Sequence, residues 1–224
     1  MNPSAIFFDF DGVILDSAGI KTEAFRQLFA AEFSGQVDAI VALHVRHSGV
    51  SRYRKFEMIY EEILEEPLST EKRAHLGRQF EALVTDAVLA CPEVPGGLSV
   101  LRKFCDEVPL FVVSGTPEDE LQRIVSLRNL DRYFAQVCGS PRPKTEILRN
   151  ILCDRRLDGR SCVFVGDGLT DFEAASAFKM PFIGIVPPSL TSPFPDEVAT
   201  IPDLRAFDAA LAALKQFHDS KVSL

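Results

Sequence analysis

The run Ala5-Ile6-Phe7-Phe8-Asp9-Phe10-Asp11-Gly12-Val13-Ile14-Leu15-Asp16-Ser17 constrains this chain more than any other feature. Four apolar residues lead directly into two carboxylates and a glycine. An unbroken apolar run of this kind reads as a strand buried on both faces, with a tightly turning acidic loop at its carboxyl end. Open parallel sheets place their ligands beyond that end of their strands. Two like charges buried together are costly unless a cation compensates them. The run therefore predicts a divalent-metal site in a sheet crevice.

After Asp16 the hydrophobic period changes. Phe25, Leu28, Phe29 and Phe33 share one helical face; Phe56, Ile59, Tyr60, Ile63 and Leu64 share a second. Leu76, Phe80, Leu83, Val84 and Val88 form a third. No strand pattern interrupts residues 17–90, so this block is expected to be a small helical bundle. The breaker cluster Cys91-Pro92-Glu93-Val94-Pro95-Gly96-Gly97 marks a boundary. Beyond it strands are expected at 108–113, 134–138, 162–165 and 182–186. Helices are expected at 98–106, 118–127, 145–154, 169–178 and about 203–218. That alternation predicts a parallel sheet covered on both faces. The fold expected is α/β, a Rossmann-like doubly wound parallel sheet with an inserted helical cap. Residues 1–16 and 91–224 would form the core domain and 17–90 the cap. The proline-rich stretch 187–195 is expected to be a surface loop.

Bulk properties narrow the function classes. With 224 residues, 46% of them hydrophobic, the chain can bury a sizeable core. A formal net charge of −8 argues against a nucleic-acid-coating surface, though a metal and a few bases can still reverse the local potential for an anionic substrate. Cys91, Cys105, Cys138, Cys153 and Cys162 are odd in number and form no C-x-x-C pair. They read as reduced thiols of a cytoplasmic protein. No basic-then-apolar leader precedes the first strand, and no apolar run approaches the roughly 20 residues that span a bilayer. No membrane or nucleic-acid partner is expected; a monomer and a homodimer both remain open.

Polar signals follow three strands: Asp9/Asp11, Ser114-Gly115-Thr116, and Asp167/Asp171. Lys144, in Pro141-Arg142-Pro143-Lys144-Thr145, lies just before an expected helix. Each has a bland reading. Asp9 and Asp11 suit a helix cap, a calcium loop or a D-x-D metal site of glycosyltransferase type, although the EF-hand spacing and its terminal glutamate are absent. Ser114 suits a turn, and Lys144 a solvated surface. Asp167 and Asp171 suit an N-cap and first-turn acid. Their conjunction at one sheet edge favours a shared site over four separate accidents.

The set Asp9-x-Asp11-Gly12-Val13, Ser114-Gly115-Thr116, Lys144 and Gly166-Asp167-Gly168-x-x-Asp171 resembles the haloacid dehalogenase-like phosphohydrolase superfamily. The helical insert after the first motif is similar to that superfamily's small α-helical cap. The resemblance implies that Asp9 is the nucleophile, forming an aspartyl phosphate. Asp11 would be general acid and then base, with a pKa raised by its acidic neighbours. Asp9, the Asp11 backbone carbonyl and Asp167 would hold Mg²⁺. Ser114, the Gly115 N–H and Thr116 would bind the phosphoryl group, and Lys144 would neutralise its oxygens. Asp171 would orient Lys144 or a metal-bound water.

Within that superfamily, dehalogenases and phosphonatases lack an acid two residues after the nucleophile, so Asp11 implies an oxygen leaving group. The implied substrate is a small phosphorylated metabolite, a sugar phosphate or a phosphoglycolate-like acid. Gly168 stands where serine is usual. The cap run Gly49-Val50-Ser51-Arg52 is similar to the cap loop of β-phosphoglucomutases, where the arginine grips a distal phosphate. Arg52 and Lys55 are therefore expected to bind a second anionic group. Two departures favour a phosphatase over a mutase. Lys21 stands where those mutases carry histidine, and Gly166-Asp167 where they carry Glu-Asp. A phospho-accepting switch, with Asp9 as acceptor, is the non-enzymatic alternative. The helical insert and Asp11 fit it poorly.

Overall fold

The computed structural model describes residues 3–222, and side chains as far as residue 214. Its centre is a parallel sheet of six strands. In chain order these are β1 (Ile6–Phe8), β2 (Leu110–Pro117), β3 (Gln136–Ser140), β4 (Val163–Gly166), β5 (Phe182–Ile185) and β6 (Ala199–Ile201). They lie in the spatial order β3-β2-β1-β4-β5-β6. The order reverses beside β1, so the crevice beyond the end of β1 is the topological switch point where doubly wound sheets bind ligands. The acidic run is attached to the strand that ends there.

Strand β1 is fully buried because both faces of the sheet are covered. Ile6 and Phe8 enter one core cluster and Phe7 the other. On the Phe7 face, residues in register across four strands form an aromatic row. Phe7 stacks on Phe111 at 4.8 Å and on Phe164 at 6.4 Å, and Phe164 on Phe182 at 6.1 Å. Such pairs add about 0.5–1.5 kcal/mol each beyond area burial, which pins the register of the strands that carry the site.

Between β1 and β2 the chain forms four α-helices: α1 (Ala18–Ala30), α2 (Val37–Arg46), α3 (Arg52–Ile59) and α4 (Thr70–Ala90). A π-helical turn, Tyr60–Leu64, follows α3. Ser51 and Ser69 cap α3 and α4 by accepting from Arg54 N and Lys72 N. Phe25 centres the packing, 4.9 Å from Phe80 and 5.7 Å from Phe56. Leu83, expected on the buried face of α4, is instead 41% exposed. Helices α5 (Gly97–Phe104), α6 (Glu118–Leu127), α7 (Lys144–Arg155), α8 (Leu169–Ser176) and α9 (Phe207–Val222) alternate with the later strands.

Three features depart from the sequence expectations. Helix α2 was not foreseen, because its apolar residues are interspersed with histidine and arginine. Strand β6 is only three residues long and one of them is exposed, so it carries no readable alternation. Strand β2 runs through Ser114-Gly115-Thr116 to Pro117 instead of stopping at Val113, so those groups sit on extended backbone rather than in a turn.

Candidate active site

Asp9 leaves β1 with its backbone still tied to the sheet. Its N–H donates to the Val165 carbonyl at 2.9 Å, and its Oδ1 accepts from Phe10 N at 2.7 Å. Only 3% of the residue is exposed. Gly12 then turns the chain with φ 79°, a conformation glycine adopts without steric cost. A Cβ there would also lie 3.1 Å from Asp167 Cγ, so this glycine lets the first and fourth motifs close on each other.

The motifs separated in sequence meet around Asp9. Lys144, at the start of α7, places Nζ 3.0 Å from Asp9 Oδ2 and 2.5 Å from Asp171 Oδ1. Asp171 is fully buried in the first turn of α8, and its other oxygen accepts from Gly168 N at 3.1 Å. Burial opposes the charge on Lys144, but Asp171 and Asp9 outweigh it and hold the ammonium protonated well above the usual lysine range. Ser114 is buried at the carboxyl end of β2, with Oγ accepting from Thr116 N at 3.2 Å.

Carboxylate oxygens of Asp9, Asp167 and Asp171 lie within 4.8 Å of one another. Burial, then repulsion from Asp9 and Asp171, pushes the Asp167 carboxyl well above the carboxylate range against the pull of Lys144. Its Oδ1 is a buried polar atom with no hydrogen-bond partner. A carboxylate with one orphaned oxygen, beside two other carboxylates, fits a hard divalent cation, which takes oxygen ligands and removes both the repulsion and the unmet valence. The donor set is all oxygen, as Mg²⁺ requires.

Asp11 behaves differently from expectation. Its side chain turns away from that cluster and forms an ion pair with Lys21 of α1. It also accepts from Ser17 Oγ at 2.6 Å and Thr116 Oγ1 at 2.8 Å. Lys21 donates in turn to Thr116 Oγ1 at 2.6 Å. Burial would raise the Asp11 pKa, but the Lys21 charge and these hydrogen bonds win and hold it below the usual carboxylate range. The expectation of a raised pKa counted acidic neighbours and missed the lysine. In the sequence Lys21 stands out only as a departure from the mutase pattern. Its spacing from Ser17, one helical turn, was the available signal.

Helices α1 to α4 roof this site. The Ser48-Gly49-Val50 segment lies directly over it: Thr170 Oγ1 donates to Ser48 O at 3.0 Å. A Cβ on Gly115 would lie 3.0 Å from Gly49 C and 3.2 Å from Val50 C. At Gly168 a Cβ would lie 2.9 Å from Ser48 O, so glycine in place of serine admits the roof. A cleft of about 1070 Å³ lies between roof and sheet, lined by residues including Asp9, Asp11, Asp167, Lys55 and Arg52. Part of the 187–195 loop, including Pro187 and Leu190, also lines it.

Arg52 and Lys55, both expected to bind an anionic group, stand in different surroundings. Arg52, 6% exposed, donates to Glu120 Oε1 at 2.6 Å and stacks over the Phe80 ring at 4.5 Å. Lys55, 4% exposed, instead meets Nδ1 and the carbonyl oxygen of His44, at 3.0 and 3.1 Å. No sequence signal pointed to Glu120, because Glu118-Asp119-Glu120 reads as ordinary first-turn acids favoured by a helix dipole.

A doubly wound sheet with an acidic cluster at its switch point and a helical roof defines a class of α/β proteins that bind ligands in the crevice beyond their strand ends. A sequence model of the haloacid dehalogenase-like hydrolases matches residues 3–179, and the chain belongs to that family. It is 26% identical over 187 residues to the phosphoglycolate phosphatase of Photorhabdus laumondii, covering 81% of this chain and 79% of that one. Among solved structures, a phosphoglycolate phosphatase assigned by prediction in Haemophilus somnus superposes with TM-score 0.67 at 16% identity, covering 92% and 97% of the two chains. The hydrolase YfnB of Bacillus subtilis, solved with magnesium bound, superposes with TM-score 0.69 at 15% identity, covering 95% and 100%. The chain is a phosphoric monoester hydrolase of this family. No helix among the described residues is long and apolar enough to cross a membrane.

Proposed function

We propose that this enzyme is a Mg²⁺-dependent phosphatase of small phosphorylated metabolites, working through an aspartyl phosphate on Asp9. The observation that carries the reading is the meeting of Asp9, Asp167, Asp171 and Lys144 at the end of β1, with one Asp167 oxygen unsatisfied. Asp9, Asp167 and the Asp11 backbone carbonyl would hold the ion. Its charge allows a carboxylate to approach a phosphate dianion.

Asp9 attacks phosphorus; the new Oδ–P bond forms as the ester P–O bond breaks. Lys144, held charged, neutralises equatorial oxygens as charge spreads over them. Ser114 Oγ and the Gly115 N–H hold the same phosphoryl group. Asp11 protonates the departing alkoxide, then takes a proton from water as that water cleaves the aspartyl phosphate. As found, Asp11 is ionised and suited to the second step. An entering phosphate dianion raises its proton affinity and supplies the condition for the first. Asp171 fixes Lys144, and Lys21 with Thr116 fixes Asp11.

In this reading residues 17–90 act as a cap that opens to admit substrate and closes to exclude water. The backbone contacts of residues 48–50 with Gly115 and Gly168 support it as a closed arrangement. A panel of phosphate esters, assayed for phosphate release with and without Mg²⁺ against an Asp9→Asn control, tests the proposal. Turnover equal to that control across the panel refutes it. Conversion of β-glucose 1-phosphate to glucose 6-phosphate without phosphate release would establish the mutase alternative instead.

A further inference from the structure

From the inequality of the two roof cations we infer that Lys55 is the specificity determinant of the cleft and binds one carboxylate of the substrate, which makes the substrate a phosphorylated hydroxy acid rather than a neutral sugar phosphate. The inference rests on the phosphatase reading for the position of the phosphoryl group. It adds the identity of the group at the other end.

Among the described residues Lys55 is the buried lysine or arginine that has no carboxylate partner. Lys144 is paired with Asp9 and Asp171, and Arg52 with Glu120. An unpaired buried ammonium is expensive, and a protein keeps one where a ligand completes it. Its surroundings are built to orient it without neutralising it. His44 supplies Nδ1 and a carbonyl oxygen, and the His44 ring is fixed by stacking on Phe25 at 4.2 Å. Burial, then the charges of Lys55 and Lys21, keeps this imidazole neutral by lowering its pKa to about 2. Nδ1 is then the acceptor, and the ammonium spends two of its three N–H donors on His44. One donor remains for the cleft that Lys55 lines.

A single charged donor suits a carboxylate better than a second phosphate, which needs several donors to satisfy its three oxygens. Arg52, the other roof cation, has its charge matched by Glu120. Burial, then Lys21, lowers the Lys55 pKa to about 7, with Asp167 and Asp11 opposing and Lys144 assisting. An arriving carboxylate restores its charge.

The test uses the Asp9→Asn protein with Mg²⁺, so that binding is read without turnover. Calorimetry compares phosphoglycolate with 2-hydroxyethyl phosphate, in which a hydroxymethyl replaces the carboxylate. Phosphoglycolate is expected to bind tighter by about tenfold or more, the loss typical of a hydrogen bond to a charged group. Adding Lys55→Gln should collapse that ratio to about one. Equal affinities with Lys55 present, no measurable binding of either ester, or a preference that survives Lys55→Gln overturns the inference. The first comparison needs no change at Lys55, so a poorly folding variant does not protect the idea. Wild-type turnover of both esters is followed in parallel. A binding preference without any turnover would refute the phosphatase reading and leave the carboxylate site standing.

Discussion

The contact between roof and sheet at Gly115 can be tested with one carbon atom. The backbone of Gly115 lies in extended strand geometry, so alanine meets no conformational penalty of its own. Its Cβ would, however, fall 3.0 Å from Gly49 C and 3.2 Å from Val50 C. The Gly49 carbonyl oxygen is closer still, and carbon atoms pack at about 3.5–4.0 Å, so the two backbones must separate by about 1 Å. Neither is a side chain that can rotate aside. Overpacking of this kind costs about 1–3 kcal/mol. The larger effect is on catalysis, because a misplacement near 1 Å over a reacting centre costs roughly 100-fold. Gly115→Ala should therefore lower kcat/KM for p-nitrophenyl phosphate by about 30- to 100-fold with a melting temperature only a few degrees lower. Gly35→Ala, where a Cβ meets nothing within 4 Å, serves as the control and should be silent. A Gly115→Ala enzyme within twofold of wild type in rate and unchanged in melting temperature would show that the roof does not close on this strand during turnover.

Asp11→Asn removes the proton carrier and should cost about 10²–10⁴ in kcat, with the aspartyl phosphate accumulating in quenched-flow or mass measurements; normal turnover would remove Asp11 from the mechanism. Lys21→Met should raise the Asp11 pKa and move the base-dependent acidic limb of the pH–rate profile upward; an unmoved limb would show that Lys21 does not set that titration. The Asp167 carboxyl is pushed above its unfolded value, so its protonation stabilises the metal-free fold at low pH and that stability is lost as pH rises through the raised pKa. Mg²⁺ should therefore raise the melting temperature more at about pH 8 than at about pH 5.5, and Asp167→Asn should flatten the difference; a Mg²⁺ effect independent of pH contradicts the orphaned-carboxylate argument. Arg52→Ala leaves Glu120 buried and unpaired, at a cost of about 3–5 kcal/mol by thermal or urea unfolding, while the Arg52→Met/Glu120→Leu pair should recover most of it. A single variant as stable as wild type would show the pair to be solvated.

The sequence by itself determined the strand-loop-acid geometry of β1, the alternation that builds the parallel sheet, and the identity of the residues meeting at its edge. These are local or periodic properties. A run of apolar residues ending in Asp9 and Asp11 has few ways to be buried, and parallel strands must present their carboxyl ends together. What only the tertiary structure decided is the charge state of those residues and the availability of the cleft's cations. Lys21 reaches Asp11 because α1 folds back over its own loop, and Glu120 reaches Arg52 across 68 residues of sequence. Lys55 is left with a neutral histidine because α2, which the pattern did not reveal, lies beside it. Electrostatic partnership depends on distance in three dimensions and on exclusion of water, and neither quantity is written in residue order.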